Sequence, residues 1–348
     1  MCPTPEEQIQ FLVNLQRLLD EGLFVASYKF ALLLALADLS VETGDDSGAT
    51  LPINTEAIAE KFVQYYWRQA VPYPALAQTR VLKQNTGQQA AILNKLMRSR
   101  AAHGNSITGF MNQPANWNRL LRQVETVVQV MPLWKLQTVG RERLDFLYEN
   151  ADKGRTIELR SGVAFCFRKF HALIVDLVRG AWVHYVRQQN LDILGEATDL
   201  NSFLFGSERA VLSMARPTLM KIQHGQCFYC KAALTAASTH VDHFVPWARY
   251  PVDLGHNFVL ADSRCNAQKG DRLPAYDHLK TWIERNGTHG DEISDELANA
   301  GIMSQLAVSN RITYWAYAQT EAAKGLTWLR GKDAMIPLEE HWRVLFAS

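Results

Sequence analysis

Residues 240–247 read HVDHFVPW and set a carboxylate, Asp242, beside an imidazole, His243. An imidazole is a suitable general base near neutral pH, and a carboxylate is a hard oxygen donor for a divalent cation. Neighbours on a strand face opposite ways, although a bend or bulge can re-aim one of them. Two other pieces flank this pair, CFYC at 227–230 and HNFVLADSRCNAQKGDR at 256–272. Cys227 and Cys230 have the C-x-x-C spacing of half a structural zinc site. Cys265 is a third thiol, and Asp262, three residues before it, stands where a second Cys or His is expected. A Cys3Asp zinc set is one reading, with His224 and His256 as reserve ligands. Inert, packed thiols are the other.

The order of these pieces resembles the HNH endonuclease family. The matching residues are the pair Asp242–His243, then Asn257, then Asn266 in the phrase CNAQKGDR, with the C-x-x-C and Cys265 around them. The resemblance implies a β-hairpin followed by a helix, cradling one divalent ion, Mg²⁺ or Mn²⁺. It implies that Asp242 and Asn266 hold that ion and that His243 is the general base. Asn257 then bonds backbone across the loop. The physical logic agrees, because phosphodiester hydrolysis needs a deprotonated water and positive charge where the phosphate gains negative charge.

Arg264, Lys269 and Arg272 fall on or beside the motif helix, either as phosphate contacts or as solvated helix charges. His240 reads as a surface residue. Trp247 and Tyr250 read as hairpin packing, and Cys166 and His171 as core residues rather than a catalytic pair.

These motifs must be held by something larger. At 348 residues the chain is long for one core, and its composition is that of an ordinary globular protein. Net charge is only +1, but residues 78–143 hold ten Lys or Arg against Glu125 and Glu142. That stretch is either one face for an anionic partner or an ordinary solvated surface. Five scattered Cys do not form a secreted disulfide framework, and the most apolar run, residues 30–39, is too short for a bilayer. A cytoplasmic location with no membrane partner is expected.

Helical patterns fill the first 200 residues. Thr4 caps a helix begun by Pro5 and stopped at Gly22, and a nearly all-apolar helix covers SYKFALLLALADLSVE. Asn54 caps TEAIAEKFVQYYWRQA, which fits a packing helix better than half of a helix-turn-helix. Further helices fit 88–102, 115–130 and 163–188, with a short strand at 156–160. After residue 272 helical patterns return, with GTHG at 287–290 as a break. The expected fold is mainly α with a small α+β insert. A helical domain over 1–205 positions nucleic acid, an HNH domain spans 206–285, and a helical segment spans 286–348.

The leading function is a metal-dependent endonuclease that nicks or cuts DNA, with a structural zinc. The wider helical context is similar to that of bacterial HNH proteins associated with defence against phage or foreign DNA. Expected partners are DNA and operon-encoded proteins. Two other readings stand beside it: a zinc-stabilised DNA-binding or adaptor protein that does not cut, and an RNase.

Overall fold

Helices dominate the computed structural model, and strands occur as antiparallel pairs among the described residues. The described residues are 2–74, 80–149, 154–194, 199–206, 209–235, 237–331 and 334–347. The chain divides into two compact units, Met1–Gly206 and Ser207–Ser348.

The first unit begins with α1 (Pro5–Glu21). Its start is a capping box: Thr4 Oγ1 accepts from the Glu7 amide, and the Glu7 carboxylate accepts from the Thr4 amide. Next, α2 (Tyr28–Thr43) is apolar on every side and almost wholly buried. The loop after it leads into β1 (Leu51–Asn54), whose last residue caps α3 (Thr55–Trp67) by accepting from the Glu56 amide. One face of α3 buries Ile58, Phe62 and Tyr66, so it is a packing helix. The middle of the unit holds α4 (Ala91–His103), α5 (Ile107–Met111), α6 (Pro114–Val130) and α7 (Pro132–Lys135). The short strands β2 (Thr138–Val139) and β3 (Glu142–Arg143) pair with each other, and β4 (Thr156–Leu159) pairs with β1.

One long helix is expected over 163–188. The chain forms two, α8 (Val163–Lys169) and α9 (His171–Gln188), broken at Phe170. The break sets two buried side chains to separate tasks. Arg168 donates to the carbonyls of Ser40, Val41 and Gly44, closing the C-terminus of α2. His171 donates to Asp38 at 2.8 Å, and burial pushes the nearby Cys166 thiol up to about 11. Both residues are core, as their apolar surroundings suggest. The unit ends with α10 (Leu200–Phe205).

The second unit opens with α11 (Arg209–Ile222). Then come β5 (Thr239–His243), β6 (Phe258–Asp262) and α12 (Ser263–Lys269), a hairpin followed by a helix. Around them lie α13 (Tyr276–Asn299) and α14 (Leu306–Ala322), and a second hairpin, β7 (Leu326–Arg330) with β8 (Ala334–Pro337). Phe258 and Leu260 of β6 pack with Leu219 of α11 and with Ile293 and Leu297 of α13. Each such side chain, fully buried, contributes about 1.5–3 kcal/mol.

Two features of the second unit differ from expectation. The GTHG stretch lies inside α13 rather than breaking it. Gly290 has a packing reason to be there: a Cβ would sit 3.0 Å from Leu306, and its carbonyl accepts from His256 Nε2 at 3.0 Å. A helical glycine costs roughly 1 kcal/mol, and the helix runs through it. The hairpin β7–β8 stands in a region expected to be helical.

Candidate active site and zinc knuckle

The site is assembled on β5, β6 and α12. The strands pair in regular register, with Asp242 opposite Val259 and His243 opposite Phe258. Pleating therefore sends the two neighbouring side chains to different partners.

Asp242 is buried, and its carboxylate is held from two directions. Tyr229 donates its hydroxyl to Oδ2 at 2.6 Å. Lys269 Nζ lies 3.0 Å from Oδ2 and 3.2 Å from Oδ1, and also donates to the His243 carbonyl at 2.8 Å. The Tyr229 hydroxyl is pushed well above its ordinary pKa, first by burial and then by the Asp242 charge, so it acts as a donor.

His243 closes β5, and its Nε2 donates to Asp253 Oδ1 at 2.8 Å. The rings of Phe258 and Trp247 flank it edge-on, at 5.0 and 5.4 Å. About a tenth of its side chain, 11%, stays exposed. Asn257 brackets the next peptide. Its Oδ1 accepts from the Val245 amide at 2.8 Å, and its Nδ2 donates to the Val245 carbonyl at 3.0 Å. The backbone around Asn257 is itself anchored by buried Arg285, which donates to the carbonyls of His256 and Phe258, each at 2.6 Å.

Asn266 is half-buried on α12, three residues before Lys269 and so on the same helix face. Its side chain makes no hydrogen bond among the described residues. A carboxylate offers about four lone-pair sites, so Asp242 retains capacity beyond Tyr229 and Lys269. Carboxylate and amide oxygens together suit a hard divalent ion such as Mg²⁺ or Mn²⁺.

The knuckle lies beside this site. Cys227 and Cys230 sit in a turn in which Cys227 donates to the Ala232 carbonyl and Lys231 adopts positive φ, 61°. Phe228 donates to the Leu260 carbonyl, tying the turn to β6. Cys265, in the first turn of α12, completes a group of three thiols whose sulfurs lie within 4.8 Å of one another. Burial raises the Cys230 thiol, but bonds from the Ala232 backbone and from Cys227 and Cys265 outweigh it and bring it below its ordinary value. Cys265 is raised, by burial and then by its neighbours. Crowded thiols that cannot all ionise alone are what a cation would relieve, so the donor set fits zinc. Asp262 is outside this group. Its carboxylate caps α12 by accepting from the Arg264 amide at 3.0 Å, while its own amide donates to Cys227 Sγ at 3.3 Å.

Other expected site residues fall as follows. Arg264 and Arg272 are exposed, and Arg272 also donates to the Gln268 carbonyl at the end of α12. Lys269 differs from the expectation of a phosphate contact, because its side chain is 0% exposed and its ammonium is spent on Asp242 and His243. His240 is exposed. His256 is fully buried, held neutral by burial, and bonded to Gly290 rather than standing near the thiols. Tyr229, Asp253 and Arg285 carry no motif signal, although Tyr229 lies between the two knuckle cysteines.

Residues 227–275, which hold all of these motif positions, match the model of the family described as HNH endonuclease. Residues 9–199 match the model of the family described as "Domain of unknown function (DUF8808)", more than half of the chain. The chain belongs to that DUF8808 family. This DUF8808 protein thus carries an HNH segment in its second unit, after the domain that defines its family. No curated protein and no solved structure matches it. Among the described residues, no helix is long and apolar enough to cross a membrane.

Proposed function

We propose that this chain is a metal-dependent endonuclease that hydrolyses DNA phosphodiester bonds. The observation that carries the reading is the arrangement of Asp242 and His243 at the end of one strand, Asn257 clamping the following peptide, and Asn266 on the helix that follows the hairpin. In this reading His243 accepts a proton from the attacking water. Asp242 and Asn266 hold Mg²⁺ or Mn²⁺, which supplies positive charge beside the phosphate. Exposed Arg264 and Arg272 contact phosphates next to the scissile bond. A zinc ion held by Cys227, Cys230 and Cys265 and a fourth ligand fixes the knuckle. Exposed Arg98, Arg119 and Arg122 of the helical unit supply a basic surface that positions the duplex, and the setting is defence against phage or foreign DNA in a bacterial cytoplasm.

One observation favours a second reading, a zinc-stabilised DNA-binding protein that does not cut. The Lys269 ammonium already supplies positive charge at Asp242, where a divalent ion is needed. Incubation with supercoiled plasmid and with single-stranded RNA, in Mg²⁺ and in Mn²⁺, separates the readings. The nuclease reading expects nicked or linear DNA, lost in His243→Ala with DNA binding retained. Equal cutting by wild type and His243→Ala overturns the base assignment. DNA binding without cutting in either metal favours the second reading, and cleavage of RNA alone makes the enzyme an RNase.

A further inference from the structure

The segment between β5 and β6 is pinned at many points. Asn257 clamps Val245 at its start. In the middle, the Tyr250 ring is buried against Trp315 of α14, with centroids 6.0 Å apart, and Arg249 donates to Thr320 Oγ1 at 3.1 Å. At its end, Gly255 donates to the Met303 carbonyl at 2.8 Å. Pro246 and Pro251 stiffen the path between. A loop so constrained delivers its side chains to fixed places, and it delivers the Asp253 carboxylate to His243 Nε2 at 2.8 Å.

We infer that Asp253 is the positioning residue of the catalytic base: it holds His243 with the proton on Nε2, so that Nδ1 is the nitrogen that activates water. This rests on the endonuclease reading. A carboxylate accepts only, so a hydrogen bond to it fixes Nε2 as the protonated nitrogen and leaves the Nδ1 lone pair free for chemistry. In the step itself the water oxygen bonds to phosphorus as the bond to the leaving oxygen breaks. The water proton passes to Nδ1, and the leaving oxygen takes a proton from solvent. The imidazolium formed is stabilised by Asp253, as the acid of an acid–histidine pair does elsewhere. Trp247 and Phe258 restrict the ring from the sides, so Asp253 sets its rotation as well as its tautomer.

The test uses the full chain as wild type, Asp253→Asn, Asp253→Glu and His243→Ala. Single-turnover plasmid nicking at saturating enzyme is read beside DNA affinity by anisotropy, and ¹⁵N-histidine spectra are taken without divalent metal. The His243 signals are those lost in His243→Ala. Wild type is expected to show His243 protonated at Nε2 alone. Asp253→Asn should lower the cleavage rate by about 10²–10⁴-fold, with DNA affinity within about twofold, and change the tautomer signal. Asp253→Glu should recover part of the rate. A wild-type spectrum with the proton on Nδ1, or nicking by Asp253→Asn at the wild-type rate, overturns the inference. Where wild type itself fails to cut, the endonuclease reading falls, and the spectra still decide whether Asp253 sets the tautomer.

Discussion

Asn257→Ala removes both hydrogen bonds that clamp the Val245 peptide, at 2.8 and 3.0 Å. Asn257 is 7% and Val245 1% exposed, so water does not readily replace what is lost. A buried backbone group left without a partner costs about 1–3 kcal/mol, and here an amide and a carbonyl are both orphaned. The expected loss in the second unit is therefore about 2–5 kcal/mol. Asn257→Asp tests the geometry from another side. It keeps the acceptor for the Val245 amide but turns a carboxylate oxygen toward the Val245 carbonyl, so it should fare no better than alanine. Asn266→Ala is the control of the same residue type. Its half-buried side chain has no partner among the described residues, and its loss should cost within about 0.5 kcal/mol. Hydrogen exchange of peptides covering 240–260 reads this locally, where 2–5 kcal/mol corresponds to roughly 30- to several-thousand-fold faster opening. Exchange within about threefold of wild type in Asn257→Ala, or an equal cost for Asn266→Ala, would refute the clamp.

Other outcomes are expected from the same structure. Cys227→Ser should abolish stoichiometric zinc and lower the melting temperature of the second unit; zinc content equal to wild type would dispose of the knuckle. Tyr229→Phe removes a hydrogen bond to a charged, buried carboxylate and should destabilise the second unit by about 1.5–3 kcal/mol in urea unfolding; a variant as stable as wild type would show the bond to be idle. Burial holds His256 and His278 below the ordinary 6.5, so the unfolded chain takes up protons there while the folded unit does not. Stability is therefore full above 6.5 and falls below it, by up to about 1.4 kcal/mol per pH unit for each histidine. Urea midpoints that do not fall between pH 7 and about pH 5 would contradict this. Reversing the exposed Arg119 and Arg122 of α6 to Glu should weaken DNA binding and flatten its salt dependence, and an unchanged salt slope would remove that helix from the interface.

The legible parts of the chain were those in which sequence neighbours do the work. Thr4 and Glu7 form a capping box within four residues, Asn54 caps its own helix, and the Cys-x-x-C turn folds on itself. What stayed hidden depends on partners far away in sequence. Asp253 reaches His243 on a loop whose Tyr250 and Arg249 are gripped by α14, some seventy residues on. Gly287 and Gly290 read as a break, yet the helix runs through, with Leu306 packed closely against Gly290 and His256 bonded to its carbonyl. The spacing of Asp262 suggests a ligand, but the start of α12 at Ser263 makes its carboxylate a helix cap. Lys269 is expected at the surface, as a phosphate contact or a solvated charge, but one helical turn after Cys265 it is carried inward with that residue.

The neighbouring pair Asp242 and His243 is held by two separate supports, and the energetics explain why. A buried carboxylate is costly unless its charge is matched, and Lys269 with the Tyr229 hydroxyl matches it. Such a buried ion pair adds little net stability, yet removing one partner is expensive. Its effect is to fix where the Asp242 oxygens lie, tying them to the knuckle through Tyr229 and to α12 through Lys269. His243 draws its support from a different set of residues, through Asp253 and the loop that α14 grips. Lys269 touches both, bonding the Asp242 carboxylate and the His243 carbonyl together. Lys269 thus ties the Asp242 carboxylate to the backbone of its neighbour, and its buried ammonium finds its partners on the strand rather than in solvent.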